Sequence, residues 1–496
     1  MTRTLIVWGC TSGAGKSWLT SALCRAARRR GIDVVPFKAQ NMSNNARVVP
    51  GPDGGLGEIG SAQYLQALAA GVPPEVDMNP VLLKPERDTA SQVVLHGRAD
   101  AALSRLPWRE RSEHLAQAAR ASFERLAARH ELVIVEGAGS PAEINLAPHD
   151  YVNLGVARWA MARGPTRALL VADIDRGGAF AHLHGTTQLL PADLRPLLAG
   201  HVLNLFRGDP ALLQPGPAQL DALTGVPLLA VIPRVADHGL PEEDGWFGTP
   251  ADPRADDAAA ATHTVAVLAP PRISNLDEFA PLARLRGVRL VWARRPAQLA
   301  GATLVVLPGS KQVSGDLAWL RAQGLDAAIQ AHAAAGGAVL GICGGLQMLG
   351  TRLHDPAGVD GQAGSADGLG LLPLATRYGA VKRLRAARFD FAATTGPWCA
   401  LAGLRWAGYE IHHGITQADA GTAAIALRDD TGAAVGWQRG AVLGLYAHGL
   451  FENPGVLRAL FGAEVPALDA SFERLADQIE TSFGTPTLDR LLHGST

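Results

Sequence analysis

Nearly unbroken apolar runs recur along the first half of the chain, separated by helix-length amphipathic stretches. The runs predict strands at Thr4–Trp8, Asp33–Phe37, Leu132–Val135, Ala168–Ala172, His201–Leu205 and Leu228–Ile232. Helical spacing predicts helices at Ser17–Arg30 and Arg109–Arg129. Strand–helix alternation with strands apolar on both faces implies a mostly parallel sheet covered on each side. The pattern lapses from Ala236 to Thr262, where prolines, glycines, an acidic pair and an alanine run read as a linker. Strands resume at Thr264–Leu268, Val288–Val291, Thr303–Leu307 and Ala338–Gly341, and again at Ala441–Leu445. Gly358–Gly370 is rich in glycine and small polar residues and reads as a surface loop. The domain limits expected from this are 1–235, a linker at 236–262, and 263–496.

A length of 496 residues supports this division, being too long for one ordinary core. The chain is 47% hydrophobic with a formal charge of −1, which describes a soluble globular protein. No basic surplus points to a nucleic acid. No stretch has the length of a membrane span, and the N-terminus reads as a strand, not a secretory signal. Cys10, Cys24, Cys343 and Cys399 form neither a CxxC pair nor a zinc spacing. A reducing cytoplasm is the expected compartment.

Two segments carry chemistry. Gly9-Cys-Thr-Ser-Gly-Ala-Gly-Lys-Ser17 follows the first strand and opens a helix, the context a phosphate-binding loop requires. Gly13 and Gly15 allow backbone N–H groups to surround phosphate oxygens. Lys16 would reach the terminal phosphates, and Ser17 would hold Mg²⁺. The loop begins one residue early, at Gly9, and this longer form resembles the dethiobiotin-synthetase type. Glu136 ends the apolar strand Leu132–Val135, where a carboxylate points into the ligand crevice and could coordinate Mg²⁺. Asp173 and Asp175 also close a strand; they are candidates for metal or substrate contacts, with a turn cap as the alternative for Asp173. Lys38, Gln40 and Asn41 are candidates for positioning substrate or phosphate, or form a polar loop.

The second segment is Ala338-Val-Leu-Gly-Ile-Cys343-Gly-Gly-Leu-Gln-Met-Leu-Gly350. A cysteine on a sharp strand-to-helix turn is exposed at a helix N-terminus, which favours the thiolate. The N–H of Gly344 can face an oxyanion, and Gly309 or Ser310 could supply a second donor. The base is expected at His448, after the strand Ala441–Leu445, with His412 and His413 as competitors.

These residues resemble a known family. Gly341–Gly350 is similar to the elbow of class I glutamine amidotransferases, in the subclass that amidates corrinoids. Further blocks extend the resemblance over nearly the whole chain, among them Phe37–Met42, Gly57–Gln63, Met78–Pro85, Ser91–Val94, Asp173–Gly178, Leu203–Asp209, Ile273–Asn275, Leu307–Lys311 and Gly408–His412. The resemblance implies an α/β chain: a dethiobiotin-synthetase-like P-loop domain with a parallel sheet, then a class I glutamine amidotransferase-like domain. It implies amidation of the b, d, e and g carboxylates of adenosylcobyrinic acid a,c-diamide in cobalamin biosynthesis. ATP and Mg²⁺, glutamine and a corrinoid are the implied cofactors and substrates; no partner protein is indicated. By the same resemblance Cys343 is the nucleophile and His448 the general base, and an enclosed ammonia route between the domains is expected. Class I amidotransferases usually place an acid two residues after the histidine. Leu450 stands there, as expected of the corrinoid subclass, and what orients His448 stays open. Leu346 and Asn45-Ala46 also depart from the family blocks. The alternatives are the sister enzyme acting on the a and c carboxylates, a P-loop ATPase switch with a non-catalytic back half, and a plain hydrolase using Cys343.

Overall fold

The computed structural model describes residues 1–51, 53–87, 90–235, 239–240, 261–418 and 423–493. Most of the expected linker therefore lies outside the described residues. Two compact units divide the chain: Met1–Ser43, Val49–Asp244 and Pro466–Thr496 form the first, and Asn44–Val48 with Gly245–Val465 form the second.

The first unit is built on a six-stranded sheet ordered Leu228–Pro233, Leu198–Phe206, Thr166–Asp173, Arg3–Gly9, Leu132–Glu136, Val34–Phe37. Its strands run parallel, as their two-sided apolar character requires. After Arg3–Gly9 the chain goes to one side of that strand for Val34–Phe37 and Leu132–Glu136, then to the other for the rest. Such a reversal of strand order opens a crevice at the carboxyl ends of the strands, and the phosphate-binding loop leaves Arg3–Gly9 there. Separate apolar clusters cover the two faces, one around Trp8, Phe37 and Phe123, the other around Leu19, Leu23 and Ile134. A four-stranded sheet, Gln40–Met42, Val81–Arg87, Ala90–Leu95 and Arg98–Asp100, is an addition the alternation pattern did not predict.

The C-terminal helices belong to the first compact unit, which takes in Pro466–Thr496. Leu468–Phe483 places Phe472, Leu475, Ala476, Ile479 and Phe483 on one stripe, packed in the same cluster as Leu19 and Leu23 of the P-loop helix, Lys16–Arg29. Burial of each large side chain contributes about 1.5–3 kcal/mol. Its acidic flank meets the basic end of the P-loop helix: Arg29 bonds Asp477 at 2.7 Å and Arg30 bonds Glu480 at 2.8 Å, while Asp489 of the following helix, Thr485–His493, bonds Arg30 at 2.8 Å. The Arg28-Arg29-Arg30 run thus serves as more than a helix end.

The second unit carries an eleven-stranded sheet. Its parallel part runs Val288–Ala293, His263–Leu268, Leu304–Leu307, Ala338–Ile342, Val442–Leu445. An antiparallel part continues from Val442–Leu445 through Ala434–Arg439 and Ala424–Asp429 to the long strand Leu374–Phe391, which also pairs with Arg405–Ala418. Its core fills around Phe279, Phe389, Trp398 and Phe451. Gly358–Gly370 is not wholly a loop: Gly364–Asp367 pairs antiparallel with Arg352–Asp355, because backbone pairing tolerates side chains too small to give an apolar signal.

Candidate functional sites in the two units

In the first unit the phosphate-binding loop is shaped by its glycines. Gly13 and Gly15 have φ of 72° and 87°, in the left-handed region that favours glycine. A Cβ on Gly15 would stand 2.0 Å from the Asn204 amide nitrogen, and that amide donates to the Ala14 carbonyl at 3.0 Å. Lys16 folds over the loop, donating to the carbonyls of Thr11 at 3.0 Å and Gly139 at 3.2 Å. A Cβ on Gly9 would lie 2.9 Å from the Lys16 Nζ, so the early glycine makes room for this lysine.

Glu136 is buried at the end of its strand and gathers three donors. Ser17 Oγ and Lys38 Nζ each lie 2.8 Å from Oε1, and Gln66 Nε2 lies 2.5 Å from Oε2. Burial opposes ionisation of Glu136, but the Lys38 charge and these hydrogen bonds outweigh it and hold its carboxyl below the usual range. Burial likewise pushes the Cys10 thiol up to about 11, against a hydrogen bond with Thr186 and the charge of Lys16, so Cys10 stays protonated. Among the other sequence candidates, Gln40 accepts from the Tyr151 hydroxyl at 2.6 Å and Asn41 donates to Gln63 at 3.2 Å. Asp173 holds Arg176 at 3.0 Å, and Arg176 in turn lies 3.3 Å from where a Cβ of Gly13 would be. Asp175 pairs with Arg207 and, at 3.3 Å, with Arg234. The structure therefore brings Ser17, Glu136 and Lys38 together and puts Asp173 near the loop through Arg176. Gln66 and Asn204 were missed; each carries a polar amide among apolar neighbours, a signal that periodicity does not weigh.

In the second unit Cys343 links the strand Ala338–Ile342 to the helix Gly344–Leu349 with φ 51° and ψ −105°, a strained conformation for a residue with a side chain. The flanking glycines permit it: a Cβ on Gly345 would come 1.9 Å from the Leu307 carbonyl oxygen, and one on Gly344 would come 2.8 Å from the Ser310 nitrogen. Gly344 opens the helix, so its N–H has no partner within the helix. Gly309 approaches closely as well, since a Cβ there would stand 3.1 Å from His448 Cε1.

His448 lies beside Cys343, whose thiol donates to the Ile411 carbonyl at 3.4 Å, and bonds through Nδ1 to Glu278 Oε1 at 3.1 Å. The other Glu278 oxygen accepts the Gly449 N–H at 3.1 Å, which fixes the carboxylate. His448 and Glu278 are 2% and 0% exposed, so this pairing works with little solvent screening. Burial disfavours the imidazolium, but the charges of Glu278 and Cys343 and the Glu278 hydrogen bond outweigh that and push His448 up to about 10. His412 is engaged elsewhere, bonded to the Gly414 carbonyl at 2.7 Å and Glu410 at 3.2 Å and stacked on Tyr446. His413 contacts the Gly379 carbonyl at 3.3 Å.

Glu278 was not among the sequence candidates. It precedes His448 by 170 positions, on the turn Leu276–Phe279, whereas the family pattern places the acid two residues after the histidine. Its signal was the position three residues beyond the Ile273-Ser-Asn275 block. Glu278→Gln keeps the shape and removes the charge. Glutamine hydrolysis is expected to fall by about 10²-fold. The native state holds a proton on His448 that the unfolded chain releases near the ordinary 6.5, so this pairing's stabilisation is present below 6.5 and is lost as pH rises through about 10. The alkaline limb of ammonia release, measured against pH, should lie near 10 and move down in Glu278→Gln. An unmoved limb would refute the role of Glu278.

A nucleophile elbow with a held imidazole, in a chain that also carries a phosphate-binding loop, belongs to the glutamine-hydrolysing carbon–nitrogen ligases that use ATP. Residues 264–456 match the CobB/CobQ-like glutamine amidotransferase domain family, and residues 5–244 match the CobQ/CobB/MinD/ParA nucleotide binding domain family. The chain is 59% identical to a cobyric acid synthase of Methylibium petroleiphilum, covering 99% of this chain and 97% of that one. It is 58% identical to the cobyric acid synthases of Leptothrix cholodnii and Variovorax paradoxus, covering 99% of this chain and 97% and 99% of theirs. The chain belongs to the cobyric acid synthase family and so to cobalamin biosynthesis. No helix among the described residues is long and apolar enough to cross a membrane.

Proposed function

We propose that this protein converts adenosylcobyrinic acid a,c-diamide to adenosylcobyric acid, amidating the b, d, e and g carboxylates with one ATP and one glutamine for each. The observation that carries the reading is the His448 imidazole held by Glu278 against Cys343, in a chain similar from end to end to cobyric acid synthases. Cys343 attacks the glutamine carboxamide carbon, and the N–H groups of Gly344 and Gly309 face the oxyanion. The proton on His448 goes to the departing nitrogen, ammonia leaves, and water releases glutamate from the thioester.

In the first unit a substrate carboxylate takes the γ-phosphoryl group, giving an acyl phosphate and ADP. Ammonia then displaces phosphate to form the amide. Gly13, Gly15 and Lys16 cradle the phosphates. Ser17 and Glu136 fit Mg²⁺, offering a hydroxyl and a carboxylate that already meet at 2.8 Å. Bound there, the ion would neutralise charge on the transferring phosphoryl group. Lys38 shares the same carboxylate oxygen, so it is placed to turn toward a phosphate when that oxygen is taken. Asp173 and Asp175 remain candidates for ordering substrate, with Gln40 and Asn41. A cytoplasmic setting fits the four cysteines, which are all free.

The test is mass spectrometry after incubation with adenosylcobyrinic acid a,c-diamide, MgATP and glutamine. Successive carboxylate-to-amide shifts, ending at the tetra-amidated product, are expected. An unchanged corrinoid with glutamine still hydrolysed would move the substrate elsewhere.

A further inference from the structure

Residues Asn44–Val48 belong to the second unit, although the residues on either side of them belong to the first. The Asn45 side chain accepts the Leu276 N–H at 2.9 Å. Asn275 donates to the Ala46 carbonyl at 3.1 Å and to the Tyr409 hydroxyl at 2.7 Å. Arg47, 5% exposed, holds Asp277 through Nε at 3.0 Å and Glu452 through Nη1 at 2.9 Å.

Asp277 and Glu452 sit on two short turns that flank the histidine. Leu276–Phe279 carries Glu278 next to Asp277; Leu450–Glu452 follows His448 and Gly449. The guanidinium carbon also lies 5.1 Å from the centroid of the Tyr409 ring, whose other neighbour is the His448 imidazole, stacked at 5.2 Å and 17°. Tyr409 and His448 exchange backbone hydrogen bonds of 2.8 and 3.3 Å. One planar cation thus ties together both turns and the ring against which the imidazole rests.

We propose that Arg47 is a positioning residue for the glutaminase: it locks the turns bearing Glu278 and Glu452 and so fixes the imidazole of His448. The proposal rests on the reading of Cys343 and His448 as the glutaminase pair. A guanidinium suits the task because its fork bonds two carboxylates at fixed angles while its face lies on an aromatic ring. Without it, the buried Asp277 and Glu278 and the solvent-exposed Glu452 form a cluster of like charges that spreads the two turns apart.

Arg47→Met keeps most of the volume and removes charge and fork. Its glutaminase kcat should fall by about 10–10²-fold with KM for glutamine little changed, because positioning acts on the transition state. Arg47→Lys, which returns the charge without the fork, should recover part of the loss. Corrinoid amidation supplied with ammonium should stay near the wild-type rate in both, which separates positioning from collapse of the fold. A kcat within twofold of wild type in Arg47→Met would overturn the proposal. So would an equal loss of the glutamine- and ammonium-supported reactions in both variants, or Lys behaving as Met. Cys343→Ala, assayed alongside, keeps the two readings apart. If it hydrolyses glutamine normally, the nucleophile assignment fails; if it is inactive and Arg47→Met is not impaired, only the positioning role fails.

Discussion

Cys343→Ala will stop glutamine-dependent amidation while leaving the ammonium-dependent reaction intact. Under the proposed roles, alanine removes the sulfur that would form the thioester, and His448 would have no thiol to act on. A loss of at least about 10³-fold in ammonia release is expected, as for other enzymes stripped of their nucleophile. The fold should survive, since alanine fits the space of a smaller side chain at the same strained turn. With ammonium in place of glutamine, the first unit still receives its nitrogen, and product should form at a rate set by unprotonated ammonia. That rate therefore rises with pH. The assay compares product from glutamine and from ammonium in one preparation, so a misfolded sample fails both. Retained glutaminase would disprove the nucleophile.

Lys16→Ala should have the opposite profile. It removes the cation that lies over the phosphate-binding loop and is placed to offset charge on the transferring phosphoryl group. Phosphate release and amidation should fall by at least about 10²-fold with either nitrogen source. Direct glutamine hydrolysis should persist, because Cys343, His448 and Glu278 all lie in the second unit. Full ATP consumption by this variant would overturn the loop assignment. Together the two variants divide the activity by unit: one loses nitrogen supply, the other carboxylate activation.

Much of this was legible because both functional segments are local. The phosphate-binding loop and the Cys343 elbow are each a strand, a glycine turn and a helix start, with chemistry and geometry written within about ten residues. The parallel strands were legible for a similar reason, since burial on both faces leaves continuous apolar runs such as Leu132–Val135. The long antiparallel pair Leu374–Phe391 and Arg405–Ala418 gave no such run, because one face is solvated and its arginines interrupt the pattern. Glu278 was invisible for another reason. Its partner is 170 positions away, and a carboxylate's role as an imidazole's support is defined by distance in space, not spacing in sequence. The helix Leu468–Phe483 was not among the expected elements, and its amphipathic stripe alone does not say which surface it covers.

The chain's double crossing bears on how such a protein can be cut or fused. Severing it in the stretch after Pro233 would look like a clean separation of two modules. It would instead leave the downstream fragment without Asn45 and Arg47, so that the acids around His448 lose their cation. The upstream fragment would lose Phe472, Leu475 and Ile479, baring the apolar flank of the P-loop helix. Evolutionary shuffling or laboratory splitting at that site would produce two incomplete pieces. Viable halves would need residues 44–48 supplied to the glutaminase piece and the terminal helices grafted onto the ATP-binding piece. The architecture is modular in its chemistry yet indivisible in its covalent path.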